Sequence, residues 1–102
     1  MGPAIRASRE TRTTRVPASV HAPARARAWV GWLGPYLAPE RAEDVGIVVS
    51  ELVTNAVLHA GLEEGDPIHL SARVHDDRVT IEVRDGGAGI RVSRRRILPS
   101  SG

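Results

Sequence analysis

The clearest helical period in the chain lies in residues 39–61, PERAEDVGIVVSELVTNAVLHAG. Apolar side chains recur there every three or four residues, a spacing that places them along one face of an α-helix. These side chains are Val45, Val48, Val49, Leu52, Ala56 and Ala60. Pro39 suits the first helical turn and Gly61 suits the position after the last. We therefore predict a helix from residue 39 or 40 to residue 60, with one face packed on a sheet.

Two alternating runs follow this helix. Apolar residues occupy every second position in both runs, as expected for two strands that each bury one side. They are Ile68, Leu70, Ala72 and Val74 in the first run, and Val79, Ile81 and Val83 in the second. Asp76 and Asp77 lie between the runs. The pattern predicts an antiparallel hairpin.

The segment before the long helix predicts two further elements. Residues 14–17 suit a short edge strand, since Pro17 cannot donate a backbone hydrogen bond to a neighbour. Trp29, Trp32 and Leu33 fall at helical spacing, so we expect a helix over residues 24–33 with Ser19 as its N-cap candidate. Gly34 and Pro35 then end it.

Together these elements predict an α+β fold. We expect a two-layer α/β sandwich, with a mainly antiparallel sheet and the helices on one face. Residues 1–13 are expected to form a disordered leader, residues 14–90 the folded domain, and residues 91–102 a basic irregular tail. A sheet edge left open in such a domain is compatible with a homodimer.

Composition and charge narrow the class of protein. The 102 residues fit one domain. The chain contains no cysteine, which excludes disulfides and thiolate metal sites. We expect a cytoplasmic protein, because there is neither an apolar run long enough for a membrane span nor the apolar core of a signal peptide. Residues 1–27 hold six Arg against one acid. Solvated termini explain such a basic end more simply than nucleic-acid binding, which lacks a motif here.

Two groups of residues suggest chemistry. Glu51, Asn55 and His59 are spaced i, i+4, i+8 on one face of the long helix. A carboxylate and an amide oxygen on neighbouring turns suit Mg²⁺, which binds few protein oxygens together with water and phosphate. Such a row is also the usual solvated side of a helix, and His59 can simply complement the helix dipole.

The second group is Asp85 with Gly87 and Gly89, directly after the second predicted strand. The carboxylate could accept a hydrogen bond from an exocyclic amine such as that of adenine, and glycines let the backbone approach a flat ligand. An ordinary Asp-Gly turn is the alternative reading.

The two groups together resemble a known family. SELVTNAVLHAG, residues 50–61, resembles the N-box of the histidine-kinase-like (Bergerat-fold) ATPases, and DGGAG, residues 85–89, looks like their glycine box. With ARAWVGWL before them, residues 14–90 resemble most closely the bacterial anti-sigma-factor serine kinases.

The resemblance implies roles for individual residues. It implies that Glu51 is the catalytic base or positions a water, that Asn55 ligates Mg²⁺, and that Asp85 binds the adenine amino group of ATP. Gly87 and Gly89 would shape the adenine end of the pocket. It also implies a sigma factor and an anti-sigma antagonist protein as partners.

The chain departs from the family pattern after the glycine box. The family continues with a lid and a second glycine-rich box around the phosphates, whereas RVSRRRILPSSG stands at residues 91–102. We therefore expect a C-terminally truncated domain that keeps the adenine and Mg²⁺ ends of the pocket. This leaves three functions open: an ATP-dependent serine/threonine kinase, a non-catalytic anti-sigma-like binding module, and an inactive fragment.

Overall fold

The computed structural model describes residues 10–85 and 91–97, with only the backbone described for residues 91–96. Its elements, in chain order, are β1 (Glu10–Pro17), α1 (Ala22–Trp29), a 3₁₀ segment (Val30–Tyr36), α2 (Pro39–His59), β2 (Pro67–Val74), β3 (Val79–Asp85) and β4 (Arg91–Ile97). The four strands form one antiparallel sheet in the order β1-β2-β3-β4. The predicted two-layer α+β fold is confirmed.

The predicted antiparallel hairpin is present and buries the expected face. Leu70 lies opposite Val83, and Ala72 lies opposite Ile81. All seven apolar residues of the two predicted alternations are buried, and together with α1 and α2 they form the core. Each of the Val, Leu and Ile side chains in this set stabilises the fold by about 1.5–3 kcal/mol relative to full exposure. The opposite face of the sheet is polar.

Helix α2 begins at Pro39, as predicted, and ends at His59, one residue before the predicted end. Gly61 follows with φ +68°, a left-handed conformation that glycine adopts without a side-chain clash. Val53 is fully buried although it lies outside the predicted apolar stripe. The stripe is wider than expected because α2 contacts both the sheet and α1.

Helix α1 packs closely on α2 through small residues. Ala22 and Ala26 are fully buried in α1, and Gly46 is buried in α2. A Cβ at Gly46 would lie 3.5 Å from the Arg27 side chain, an ordinary van der Waals distance, so Arg27 of α1 packs over this position. The two helices can therefore approach closely enough to share one layer.

The predicted bounds of the first helix were wrong at both ends. Helix α1 starts at Ala22 and continues after Trp29 as the 3₁₀ segment, which includes Gly34 and Pro35. The tighter 3₁₀ winding is common at helix ends and accommodates these residues in a short run. Ser19 is not the N-cap. Its hydroxyl instead accepts a 3.1 Å hydrogen bond from the His21 backbone N–H, in a turn before the helix.

Strand β1 begins at Glu10, four residues before the expected start, so residues 10–13 belong to the sheet rather than to a leader. The inward side chains at this end meet aromatic rings instead of aliphatic ones. The Arg12 guanidinium lies 4.6 Å from the Trp32 ring centroid, and the Tyr36 hydroxyl donates a hydrogen bond to Glu10. Polar residues therefore suit the inner face at this end of β1. The strand could not be predicted from alternating apolar residues, because it has none here.

The bond from Tyr36 and a second one from Arg12 lower the pKa of the Glu10 carboxyl below its usual value of 4.5. Both bonds favour the charged form of the carboxylate. The start of β1 is thus tied to the 3₁₀ segment by polar and aromatic contacts.

The expectation of an irregular tail is also wrong for its first seven residues. Arg91–Ile97 form strand β4, which pairs with β3 from Asp85↔Arg91 to Val79↔Ile97. The pairing satisfies backbone groups along the second edge of β3, which would otherwise lack partners. Ile97 is buried and joins the core. Among the described helices, none has the length and hydropathy of a membrane span.

Candidate functional site

Glu51 and Asn55 lie together on the exposed side of α2. The two residues are one helical turn apart, and both are exposed. They line a shallow depression of about 300 Å³ with Ser50 and Thr54. The spacing on the helix therefore brings together the two side chains that the N-box resemblance singled out.

The polar side chains of this depression differ in whether they are already hydrogen-bonded within the protein. The Ser50 hydroxyl donates a 2.8 Å hydrogen bond to the Gly46 carbonyl, so it is engaged by its own helix. Within the described part of the chain, Glu51 and Asn55 make no side-chain hydrogen bond or ion pair. Their oxygens are available to a ligand.

Thr54 was missed by the sequence reasoning. It lies three residues after Glu51 and lines the same depression. Residues three apart are neighbours on a helix surface, so its position beside Glu51 could have indicated it. Its hydroxyl can both donate and accept hydrogen bonds, and so adds a donor to a site that otherwise presents a carboxylate and an amide.

His59 occupies the last position of α2 and is exposed. It does not line the depression formed by Glu51 and Asn55. Its position at the C-terminal end of the helix fits the dipole reading given above.

Asp85 is the last residue of β3 and is only 4% exposed. It pairs in register with Ile68 of β2, a fully buried residue on the helix-facing side of the sheet. Directly opposed residues of an antiparallel pair share a face, so Asp85 faces the helical layer. Among the described residues, Asp85 and Thr80 are the only polar ones in the buried class.

A buried carboxylate requires a compensating polar environment. Its place at the end of a strand, on the side that carries the helices, is where a ligand between the two layers would meet it. Gly87 and Gly89 lie outside the described residues.

The described residues contain no group of three or more His, Asp or Glu side chains that could hold a metal ion. The predicted Mg²⁺ role thus rests on Asn55 and its neighbour Glu51. Two oxygen-bearing side chains fit a metal that keeps several waters and takes further ligands from phosphates.

A larger groove of about 500 Å³ lies between the 3₁₀ segment and the first half of α2. Most of its lining is apolar, including Val30, Leu33 and Leu37, with Arg27 and Glu43 among its polar residues. Among the described residues of the predicted site, neither Glu51, Asn55 nor Asp85 lines it. The groove and the Glu51–Asn55 depression are therefore separate features of the helical layer.

The fold and these positions define a class of protein. Residues 16–99 match the model of the histidine kinase-like ATPase domain, and the chain belongs to this family. The resemblance inferred from residues 50–61 and 85–89 is confirmed.

Curated relatives narrow the comparison further. The chain is 46% identical over 65 residues to a protein named anti-sigma F factor from Pasteuria penetrans, a match that covers 62% of this chain and 42% of the relative. It is 38% identical over 60 residues to the anti-sigma F factor of Clostridium acetobutylicum, which covers 59% of this chain and 42% of the relative. The chain thus aligns with less than half the length of each of these relatives.

Proposed function

We propose that this chain binds Mg-ATP between α2 and the end of β3, as the nucleotide-binding part of an anti-sigma regulator. The observation that carries the proposal is the placement of two separate polar groups on the helical side of the sheet. Glu51 and Asn55 share one exposed depression, and Asp85 is buried at the end of β3. Membership of the histidine kinase-like ATPase family supports ATP as the ligand.

Asp85 would recognise the adenine base. Its carboxylate accepts the hydrogen bond of the exocyclic amine, and its burial strengthens that bond because water competes less. Guanine presents a carbonyl at the corresponding position, which a carboxylate repels. The proposal therefore includes a preference for adenine over guanine nucleotides.

Asn55 would contribute its amide oxygen to Mg²⁺, and Glu51 would lie one turn earlier, beside the same ion. Bound Mg-ATP would supply a γ-phosphoryl group whose charge the metal partly neutralises. The exposure of both side chains leaves room for the waters and phosphate oxygens that complete the coordination.

Catalysis is a further part of the proposal. Glu51 would act as the base that takes the hydroxyl proton of a serine in an antagonist protein, as that oxygen attacks the γ-phosphorus and ADP leaves. Exposure of Glu51 suits a protein substrate, because a folded partner can reach it. The names of the relatives support a sigma factor as a second partner.

Titration calorimetry with ATP, in the presence and absence of Mg²⁺, tests the proposal. We expect saturable binding that strengthens with Mg²⁺ and weakens when GTP replaces ATP. Circular dichroism first establishes that the protein is folded. A folded protein that ignores ATP would overturn the proposal, whereas binding without transfer to a serine-containing partner would leave a non-catalytic binding module.

A further inference from the structure

The face of the sheet that points away from the helices carries a concentration of positive charge. Arg15 of β1, Arg73 of β2 and Arg84 of β3 are all exposed there. The single described acid on this face is Glu82. By contrast, the first half of α2 exposes mainly acids, namely Glu40, Glu43 and the partly exposed Asp44. The outward face of the sheet and the first half of α2 thus differ in the charge they present to solvent, while α1 exposes Arg25 and Arg27.

Three of the side chains on this face form one row across the sheet. Arg15 is paired with His69 of β2, and His69 is paired in turn with Arg84 of β3. Neighbouring strands lie about 4.8 Å apart, so the two arginines flank the imidazole within a span of about 10 Å. Basic side chains opposite one another destabilise a sheet when they are charged, unless an anion lies between them.

The arginines of this face are available to a ligand. Within the part of the chain that the structure describes, Arg15, Arg73 and Arg84 form no ion pair. They line a broad polar depression of about 770 Å³, which also includes the hydroxyls of Thr13 and Ser71. Guanidinium groups bind carboxylates in a bidentate manner, and hydroxyls add further hydrogen bonds.

The backbone register extends the same pattern onto β4. Arg94 occupies the position opposite Glu82, and Arg96 occupies the position opposite Thr80. Positions alternate between faces along a strand, so these two register positions belong to the outward face. The basic residue types therefore continue across the whole width of the sheet.

We propose that this outward face, defined by Arg15, His69, Arg73 and Arg84, docks an acidic polypeptide segment of a partner protein. Arg73 lies four residues along β2 from His69, which is about 13 Å, so the charges are too widely spread for one small anion. An extended acidic segment matches such a spread. The proposal is independent of nucleotide binding, because the face lies across the sheet from α2.

Two other occupants fit the face less well. A second copy of this chain would set arginines against arginines, which repel each other. Single-stranded nucleic acid on a sheet is held by aromatic stacking, and the described outward positions carry no Phe, Tyr or Trp.

The test is fluorescence anisotropy with a labelled peptide of about ten glutamates, which is long enough to span the charged face. Wild-type protein is compared with the double variant Arg15→Ala/Arg84→Ala. The control, Arg25→Ala/Arg27→Ala, removes the same charge from exposed positions on α1. We expect the sheet variant to bind about tenfold more weakly than wild type and the control to stay within about twofold.

Three results would overturn the proposal. Wild-type protein that fails to bind the peptide excludes the docking face, and an equal loss in both double variants shows attraction by net charge alone. Tighter binding of an oligothymidylate of about ten nucleotides, lost in the sheet variant, assigns the face to nucleic acid instead. Circular dichroism monitors folding, and Arg15→Gln/Arg84→Gln replaces the alanine pair if strand content falls.

Discussion

The guanidinium carbon of Arg12 lies 4.6 Å from the centroid of the Trp32 ring, and this contact joins the first strand to the 3₁₀ segment. Trp32 in turn makes edge-to-face contacts with Trp29 and Tyr36, at centroid distances of 6.2 Å each. Strand β1 is therefore attached at its start by an aromatic cluster, and farther along by Val16 in the aliphatic core.

Replacement of Arg12 by Ala is expected to lower the free energy of unfolding by about 0.5–1 kcal/mol, the range for a cation–π contact at an exposed site. Arg15→Ala is the matched control, since it removes the same charge from the opposite face of the same strand. Urea denaturation followed by tryptophan fluorescence measures both. Equal loss in the two variants would contradict a specific role for the contacts that Arg12 makes with Trp32 and Glu10.

The Glu10 carboxyl makes stability depend on pH in the acidic range. Its pKa is lowered by the hydrogen bond from Tyr36 and then by that from Arg12. A folded-state pKa below the unfolded value means that the contribution is present above the unfolded pKa and is lost as pH falls through the folded one. We expect Glu10→Gln to reduce the decline in the urea midpoint below pH 4.5. An equally steep decline in this variant would contradict the role of Glu10.

Asp85→Asn is expected to weaken ATP binding by about tenfold, because an amide cannot reproduce the charge-assisted bond to the adenine amine. Calorimetry with ATP and with GTP measures the change. We expect the affinity for ATP to fall and the affinity for GTP to stay unchanged. A fall in both affinities would indicate general damage to the fold instead of lost recognition of adenine. Thermal unfolding of the variant serves as the check on folding, since Asp85 is buried.

Asn55→Ala is expected to remove the strengthening of ATP binding by Mg²⁺ and to leave metal-free binding within about twofold of wild type, since only a metal ligand is lost. Ser50→Ala is the control in the same depression, because the Ser50 hydroxyl bonds to the Gly46 carbonyl, and this variant should keep the strengthening by Mg²⁺. If metal-free and metal-bound affinities fell together, Asn55 would contact the nucleotide directly or support the helix.

Glu51→Ala is expected to leave ATP affinity within about twofold and to reduce phosphoryl transfer at least about 100-fold, the range for removal of a general base. Glu43→Ala removes another exposed carboxylate of α2, more than two turns earlier, and should transfer normally. Transfer of radiolabelled phosphate to a serine-containing antagonist protein measures the rate. Retained transfer in the Glu51 variant would remove this residue from the catalytic role.

Helix α2 and the β2–β3 hairpin could be predicted because apolar residues recur at regular spacing in both sequences. Val45 and Val49 mark the helix, and Ile68 and Leu70 mark the strand. Both elements bury one aliphatic face, and burial of one face requires apolar residues at the period of the helix or strand. The proximity of Glu51 and Asn55 followed from their spacing of four residues on the same helix.

The first half of β1 and all of β4 could not be predicted in this way. Arg12 faces a tryptophan ring rather than aliphatic side chains, so its strand shows no apolar alternation. Strand β4 is fixed by backbone pairing with β3, and Ile97, whose side chain the structure describes, is buried. Both strands are extended because of contacts with residues distant in sequence. Such contacts cannot be inferred from the local pattern of apolar residues.

The place of β1 in the sheet has a consequence for the order of folding. Strand β2 reaches β3 through a short turn, whereas β1 is separated from its partner β2 by residues 18–66, which include the whole helical layer. Contacts distant in sequence form against a larger loop-closure entropy than local ones. The hairpin can therefore assemble early as a template, and β1 completes the sheet after α1 and α2 have collapsed onto it. We expect its contacts to appear late in refolding and to be among the first lost when the molecule opens.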